Sequence, residues 1–325
     1  MNLLRPILAL AVIAGAIAFS GKYAEHHENS DPFQQLYLHL MPARLVQQTD
    51  AAHGDEAHAE AAHGGGHGAA ASLVALPLPA ILAPAGRAVD HGYELYATNL
   101  QVFQLASVLL IFILLGGIPG YLRTGRGDWL TRLFCGFAMY IRDDMVVPVM
   151  GKATGNKYLP YFLSIFFFIL FINLMGLVPG SATATASIFV TGALATITLG
   201  SMVLCGMIVQ GPVAFWRTLV PEVPLLLWPL MFVVEVVGLV VKPFALMVRL
   251  FANMTGGHMV VLSFMGLIFY FGQSMGDAAG YAASPVAVGF AVFIMIIESF
   301  VALLQAYIFT QLSIIFVNGS IHPEH

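Results

Sequence analysis

Between residues 158 and 317 the chain holds only seven of its thirty charged side chains (13 basic and 17 acidic overall): Arg217, Glu222, Glu235, Lys242, Arg249, Asp277 and Glu298. So little charge over such a length is not a soluble fold. Ordinary soluble domains carry about 25% charged and about 45–50% apolar residues, whereas this chain is 9% charged and 59% apolar. It reads as an all-α integral membrane protein, because its apolar runs are long enough to cross a bilayer as helices. A formal net charge of -4 and the lack of a long basic block exclude nucleic acid as a default partner. Cys135 and Cys205 have neither the spacing nor the histidine neighbours of a metal or redox site, so no metal or cofactor is expected.

The first span covers residues 98–118 and stops at Pro119-Gly120. Residues 121–157 then mix six bases and three acids with Trp129, Leu133, Phe137 and Tyr140, the pattern of an amphipathic helix lying at the interface. Its excess of Lys and Arg assigns it to the cytoplasm and leaves the acidic region before the first span outside. Residues 158–177 and 187–210 predict a helical hairpin closed by an uncharged outer loop, VPGSATATA. The apolar stretch 225–270 would be about 70 Å long as a helix, against roughly 30 Å of hydrocarbon. It must tilt strongly, break or lie partly in the plane. A short outer loop containing Asp277 and a last helix over residues 284–317 bring the count to five membrane helices, with the C-terminus cytoplasmic.

Residues 1–20 join one base, Arg5, to an apolar run and the small residues Ala16-Ile17-Ala18, which fits a secretory signal peptide; the other reading is an uncleaved anchor. Residues 21–96 form an acidic, His-rich extracytoplasmic extension with nine acids and three bases. Its central tract, AAHGDEAHAEAAHGGGHGAA, has no apolar periodicity and reads as a flexible linker. His53, His58, His63 and His67 are metal-binding residue types, but a tract without supporting contacts binds weakly, so no metal site is expected there. Residues 97–325 make up the membrane-embedded domain.

An arginine near the bilayer centre costs about 2.5 kcal/mol or more, so Arg249, deep in VVKPFALMVRLFANMTGGHMVV, must serve a purpose. Its guanidinium does not lose its proton in a protein, which makes it a fixed positive charge and not a relay. Glu235, Lys242 and Arg249 are spaced by seven and Asn253 follows at i+4, so the four share one helical stripe. Glu235 lies about 21 Å along the axis from Arg249, toward the cytoplasmic end, where a carboxylate can titrate. In the plain alternative it neutralises Lys242, or the two snorkel to the interface. Pro243 favours a local bend. His258 follows Arg249 by nine residues, just past the helix-loosening pair Gly256-Gly257, and in the last helix Glu298 precedes Gln305 by seven. With Gln305 level with Arg249, His258 and Glu298 come to similar depth as a pair able to pass protons.

These strings, with LLQAYIFTQLSIIF in the last helix and FINLMGLVPG in the second span, resemble subunit a of the F-type ATP synthases over about residues 90–325. The resemblance implies a non-catalytic stator subunit of a bacterial inner membrane, lying against a rotating ring of c subunits. It further implies b-type peripheral-stalk subunits as partners, two offset proton half-channels, and a last pair of helices forming a steeply tilted hairpin. By the same resemblance Arg249 faces the ring carboxylate, and Asn253, His258, Glu298 and Gln305 belong to the outer half-channel and its approach to the ring. Glu235 matches the acid near the cytoplasmic half-channel, Asn173 a polar residue of the second span, and Lys242 is a further candidate channel residue. Some bacterial relatives place the acid on the arginine helix and the histidine on the last helix; His258 and Glu298 hold the reverse arrangement. Gly176 stands where some relatives carry an acid.

The chain has no phosphate-binding loop, so nucleotide chemistry is expected elsewhere. A self-contained secondary cation/proton transporter would also need intramembrane Glu, Lys and Arg, but no pair of Gly/Pro-broken repeats divides these spans into two halves. A scaffold whose buried charges only pair with partner helices is the third reading.

Overall fold

The computed structural model describes residues 4–23, 46–48, 73–75, 98–125, 127–178, 181, 183–220, 224 and 227–321. Arg126, Glu222, residues 322–325 and the 51–70 tract with its four histidines lie outside the described residues. Among the described residues six helices are long and apolar enough to cross a membrane, one more than the five expected. The 21–96 extension contributes two three-residue strands, β1 (Val46–Gln48) and β2 (Leu73–Ala75), paired antiparallel with Val46 opposite Ala75.

The additional helix is the N-terminal segment, α1 (Leu4–Tyr23), which packs against the first predicted span, α2 (Asn99–Leu115). Its Ala16 and Ser20 are buried, and Arg5 Nη1 donates to Thr131 Oγ1 at 2.7 Å. Gly117 makes room for that guanidinium, since a Cβ there would fall 1.5 Å from Arg5 Nη1. After α2 the chain turns through Gly116-Gly117 into α3 (Ile118–Thr124), with Pro119 in its first turn, where a missing N–H costs nothing. Gly125 ends α3 in the left-handed region at φ 67.

The expected interfacial helix is therefore split in two, and its second piece is α4 (Trp129–Tyr140). Thr131, Cys135, Ala138, Ile141 and Met145 recur at three- and four-residue spacing and are buried, while Arg132, Asp143 and Asp144 are exposed. A π-helical turn, Ile141–Val146, leads into α5 (Val147–Gly176), whose backbone leaves helical geometry at Gly151 (φ 74, ψ 166). That break separates the amphipathic segment from the second span. Phe162, Phe166, Phe167 and Phe171 of α5 form the heart of the core, with Phe134 edge-on to Phe167 at 5.7 Å and to Phe171 at 5.9 Å. A 3-10 turn, Ala184–Ala186, precedes α6 (Ile188–Gln210), and the short α7 (Pro212–Thr218) follows.

The last two helices, α8 (Trp228–Met275, 48 residues) and α9 (Asp277–Ile321, 45 residues), lie antiparallel and make the most extensive helix pairing among the described residues. Helix α8 continues through Pro243 and through Gly256-Gly257. Of the three ways to absorb its length, breaking is excluded, and an unbroken helix of about 72 Å fits a bilayer only when steeply inclined. The expected loop around Asp277 is a single residue, Gly276 (φ 93), and α9 begins at Asp277 and not at residue 284. The polar, Gly-rich composition of GQSMGDAAGYAAS looks like a loop, but Asp277 suits a helix N-terminus. The small residues let the two helices touch: a Cβ on Gly280 would come 3.0 Å from Gly272 Cα. Further along, Phe264 stacks on Phe290 at 5.2 Å.

Candidate functional site

Helix α8 buries Leu239, Pro243, Leu246, Leu250 and Met254, a stripe at three- and four-residue spacing. The polar stripe runs beside it, not along it. Arg249 and Glu235 are half-buried on the flank of the inward face, while Lys242 and Asn253 are exposed. Among the described residues Arg249 has neither an ion-pair nor a hydrogen-bond partner, and the same holds for Glu235. The neutralising pair Glu235–Lys242 considered above does not form; Lys242 Nζ instead sits 5.8 Å over the Phe316 ring of α9.

Two contacts fix the register between α8 and α9. Asn253 Nδ2 donates to Gln305 Oε1 at 3.0 Å, and His258 Nδ1 lies 2.6 Å from Glu298 Oε1. The expected His/carboxylate pair is present, but Gln305 is level with Asn253 and not with Arg249, one helical turn from its predicted position. The crossing of two packed helices sets which turn meets which, and sequence spacing within each helix does not contain it. Glu298 is 4% exposed, so its carboxyl group is nearly wholly inside the chain and needs a partner there. The partner reaches it because residue 257 is glycine: a Cβ would stand 2.7 Å from Glu298 Oε1. Gly256-Gly257, read from the sequence as loosening the helix, instead opens a seat for the carboxylate.

The other face of His258 meets the hairpin between α5 and α6. Its Nε2 is 2.7 Å from Thr183 Oγ1 and 3.0 Å from the Gly176 carbonyl. Asn173, one turn before Gly176, is fully buried and accepts from Thr185 Oγ1 at 2.8 Å through Oδ1. Thr183, Thr185 and the Gly176 carbonyl were missed from the sequence, where VPGSATATA reads as a small uncharged connection. Its one usable signal was the Thr-Ala-Thr alternation beside a span containing Asn173. Among the described residues, buried Asn173 Nδ2, Gln305 Nε2 and Thr255 Oγ1 have no partner, and buried groups of this kind are ordinarily satisfied by water. The site is thus a line of polar groups through an apolar bundle: Arg249, the Asn253–Gln305 amide pair, then His258 with Glu298 and the Thr183 corner.

Residues 101–318, which contain all of these groups, match the family described as ATP synthase A chain. The chain belongs to the ATP synthase A chain family. It is 42% identical over 187 residues to ATP synthase subunit a of Myxococcus xanthus, covering 58% of this chain and 59% of that relative. Over 239 residues it is 39% identical to ATP synthase subunit a of Chloroherpeton thalassium, covering 72% and 69%. Likeness to ATP synthase subunit a 2 of Prosthecochloris aestuarii extends over 319 residues at 34% identity, covering 91% of this chain and 96% of the other. As an ATP synthase A chain with several spanning helices, it is a multi-pass membrane protein of the synthase's membrane sector. Helix α1 and the β1–β2 ladder fall outside the family match.

Proposed function

We propose that this chain is the stator that conducts protons to and from a rotating ring of c subunits, with b-type peripheral-stalk subunits holding it in place in a bacterial inner membrane. The observation that carries this reading is Arg249, a permanent cation half-buried in a membrane helix with no partner of its own among the described residues. Such a charge is costly in hydrocarbon unless an acidic group meets it, and a carboxylate carried past on another subunit supplies one.

A proton taken up from outside passes through the His258–Glu298 pair and neutralises a ring carboxylate, which then enters lipid without carrying its charge there. On its return the protonated carboxyl meets Arg249, whose positive charge favours the ionised form, and the proton leaves toward the cytoplasm past Glu235. Because Arg249 cannot give up its proton, it stands between the two paths without joining them. Asn253 and Gln305 bridge α8 and α9 between the arginine and the His258–Glu298 pair. Each proton crossing 100 mV releases about 2.3 kcal/mol, so several must pass for each nucleotide formed elsewhere in the complex.

The test is Arg249→Ala in inverted membrane vesicles. ATP-driven acidification is expected to vanish while the assembled complex is recovered in normal amount. Near-normal acidification overturns the assignment, and transport by the purified chain alone would favour a self-contained exchanger.

A further inference from the structure

The His258 ring is engaged at both nitrogens, but the two sides are chemically unlike. Nδ1 lies 2.6 Å from Glu298 Oε1, and the Met254 backbone one turn earlier is also within reach of the ring. Nε2 faces the Thr183 hydroxyl at 2.7 Å and the Gly176 carbonyl oxygen at 3.0 Å. A carbonyl only accepts, whereas a hydroxyl donates as well as accepts. When Nε2 carries a proton it can donate to these oxygens, and the Thr183 O–H then points to the Gly176 carbonyl, 3.3 Å away. When Nε2 is bare, its lone pair faces that carbonyl's lone pairs, and the Thr183 O–H is its neighbouring donor. Without that hydroxyl a half-buried acceptor would stand unsatisfied against another acceptor, which disfavours the bare state.

We propose that Thr183 is a positioning residue for proton transfer at His258, its hydroxyl turning between Nε2 and the Gly176 carbonyl as Nε2 loses and gains a proton. The ring can then hold a proton on either nitrogen and hand it from the Thr183 side to Glu298. The step balances in protons alone. A proton arriving at Nε2 turns the neutral ring into imidazolium, and the Nδ1–H then passes to the Glu298 carboxylate. A neutral ring protonated on Nε2 remains, beside a neutral acid that releases the proton onward.

Gly176 has a part in this beyond its carbonyl. A Cβ at that position would stand 2.9 Å from Thr183 Cγ2 and 3.1 Å from Oγ1, displacing the hydroxyl from its place between the two partners. Gly176 is therefore matched to the threonine seven residues later. The second span and the loop after it act here through a backbone oxygen and a hydroxyl.

The inference rests on the translocation reading above, and the experiment separates the two. Complexes carrying each variant are reconstituted in liposomes, and ATP-driven proton uptake is measured per assembled complex. Thr183→Val keeps the shape and removes the hydroxyl, and is expected to slow uptake about tenfold. Thr183→Ser is expected to run near the wild-type rate, which a purely space-filling role would not predict. Gly176→Ala alone slows uptake, and Thr183→Ser added to it restores part of the rate by removing Cγ2, the nearest atom in the way. Wild-type uptake by Thr183→Val, or Thr183→Ser as slow as Thr183→Val, overturns the role of Thr183. If Arg249→Ala in the same assay pumps normally, the translocation reading fails and the Thr183 inference falls with it; if it is dead while Thr183→Val is normal, only the latter fails.

Discussion

The segment 129–176 and helix α8 are almost equally apolar, yet the chain buries most of the apolar stretch of the former and little of that of the latter. In the first, phenylalanines close on one another: Phe167 is fully buried, stacked on Phe171 at 5.7 Å and edge-on to Phe166 at 5.2 Å. Along α8, Val233, Val237, Val241, Phe244 and Val248 point away from the chain's own core. In lipid an outward valine is as comfortable as an inward one, so apolarity does not say which helix is scaffold and which is presented to its surroundings. What the side chains meet does. Interlocking rings make a self-supporting element, whereas a valine-rich row with Phe244 in it stays open to lipid or a neighbouring subunit, with the polar stripe of α8 along its border.

If that contrast is right, mutations in the two regions should fail in different ways. The largest effect is expected from Phe167→Ala, which removes a fully buried ring and should destabilise the folded chain by about 3–5 kcal/mol. Quantifying assembled complex against its turnover separates the readouts: assembly should drop steeply while each surviving complex pumps normally. Slowed pumping at full assembly would mean α5 is more than scaffold. Glu298→Gln reverses the pattern, with proton uptake falling by about a hundredfold in complexes assembled at wild-type level; loss of assembly would make Glu298 structural. Gly257→Ala should lie between wild type and Glu298→Gln, since its methyl group would press on Glu298 Oε1 and displace the carboxylate from His258. Normal pumping by this variant would show that the carboxylate can move without consequence. Lys242→Gln should do least, because Lys242 is exposed and its ammonium group sits over the Phe316 ring; an effect equal to that of Glu298→Gln would break the proposed outer path.

The chemistry-bearing residues of the helices were legible because a charge in hydrocarbon is so unfavourable that each one stands out. Arg249, Glu298 and His258 could be picked from single strings, and the seven-residue spacing of Glu235, Lys242 and Arg249 already put them on one stripe. Less legible was the hairpin tip, where a single glycine at positive φ does the work expected of a thirteen-residue loop and α9 consequently starts seven residues early. Turn chemistry and the composition of close-packed small residues are alike in sequence: both read Gly-Ala-Ser. The N-terminal helix was read mainly as a signal, since its short apolar run gives no hint that Arg5 finds Thr131 across the space left by Gly117.

What the sequence determined alone was the solvent the chain lives in, the approximate extent of its spans and the identity of its fixed and titratable intramembrane charges, all of which follow from the free energy of placing polar groups in lipid. Only the tertiary structure decided that Asn253 meets Gln305, that Gly257 exists for Glu298, and that His258 ends on a threonine and a backbone carbonyl from 75 and 82 positions away. A hydroxyl, a carbonyl and a missing methyl group leave almost no mark on composition or periodicity; their place in the site comes from contacts of 2.7 to 3.3 Å, which are fixed by how helices cross.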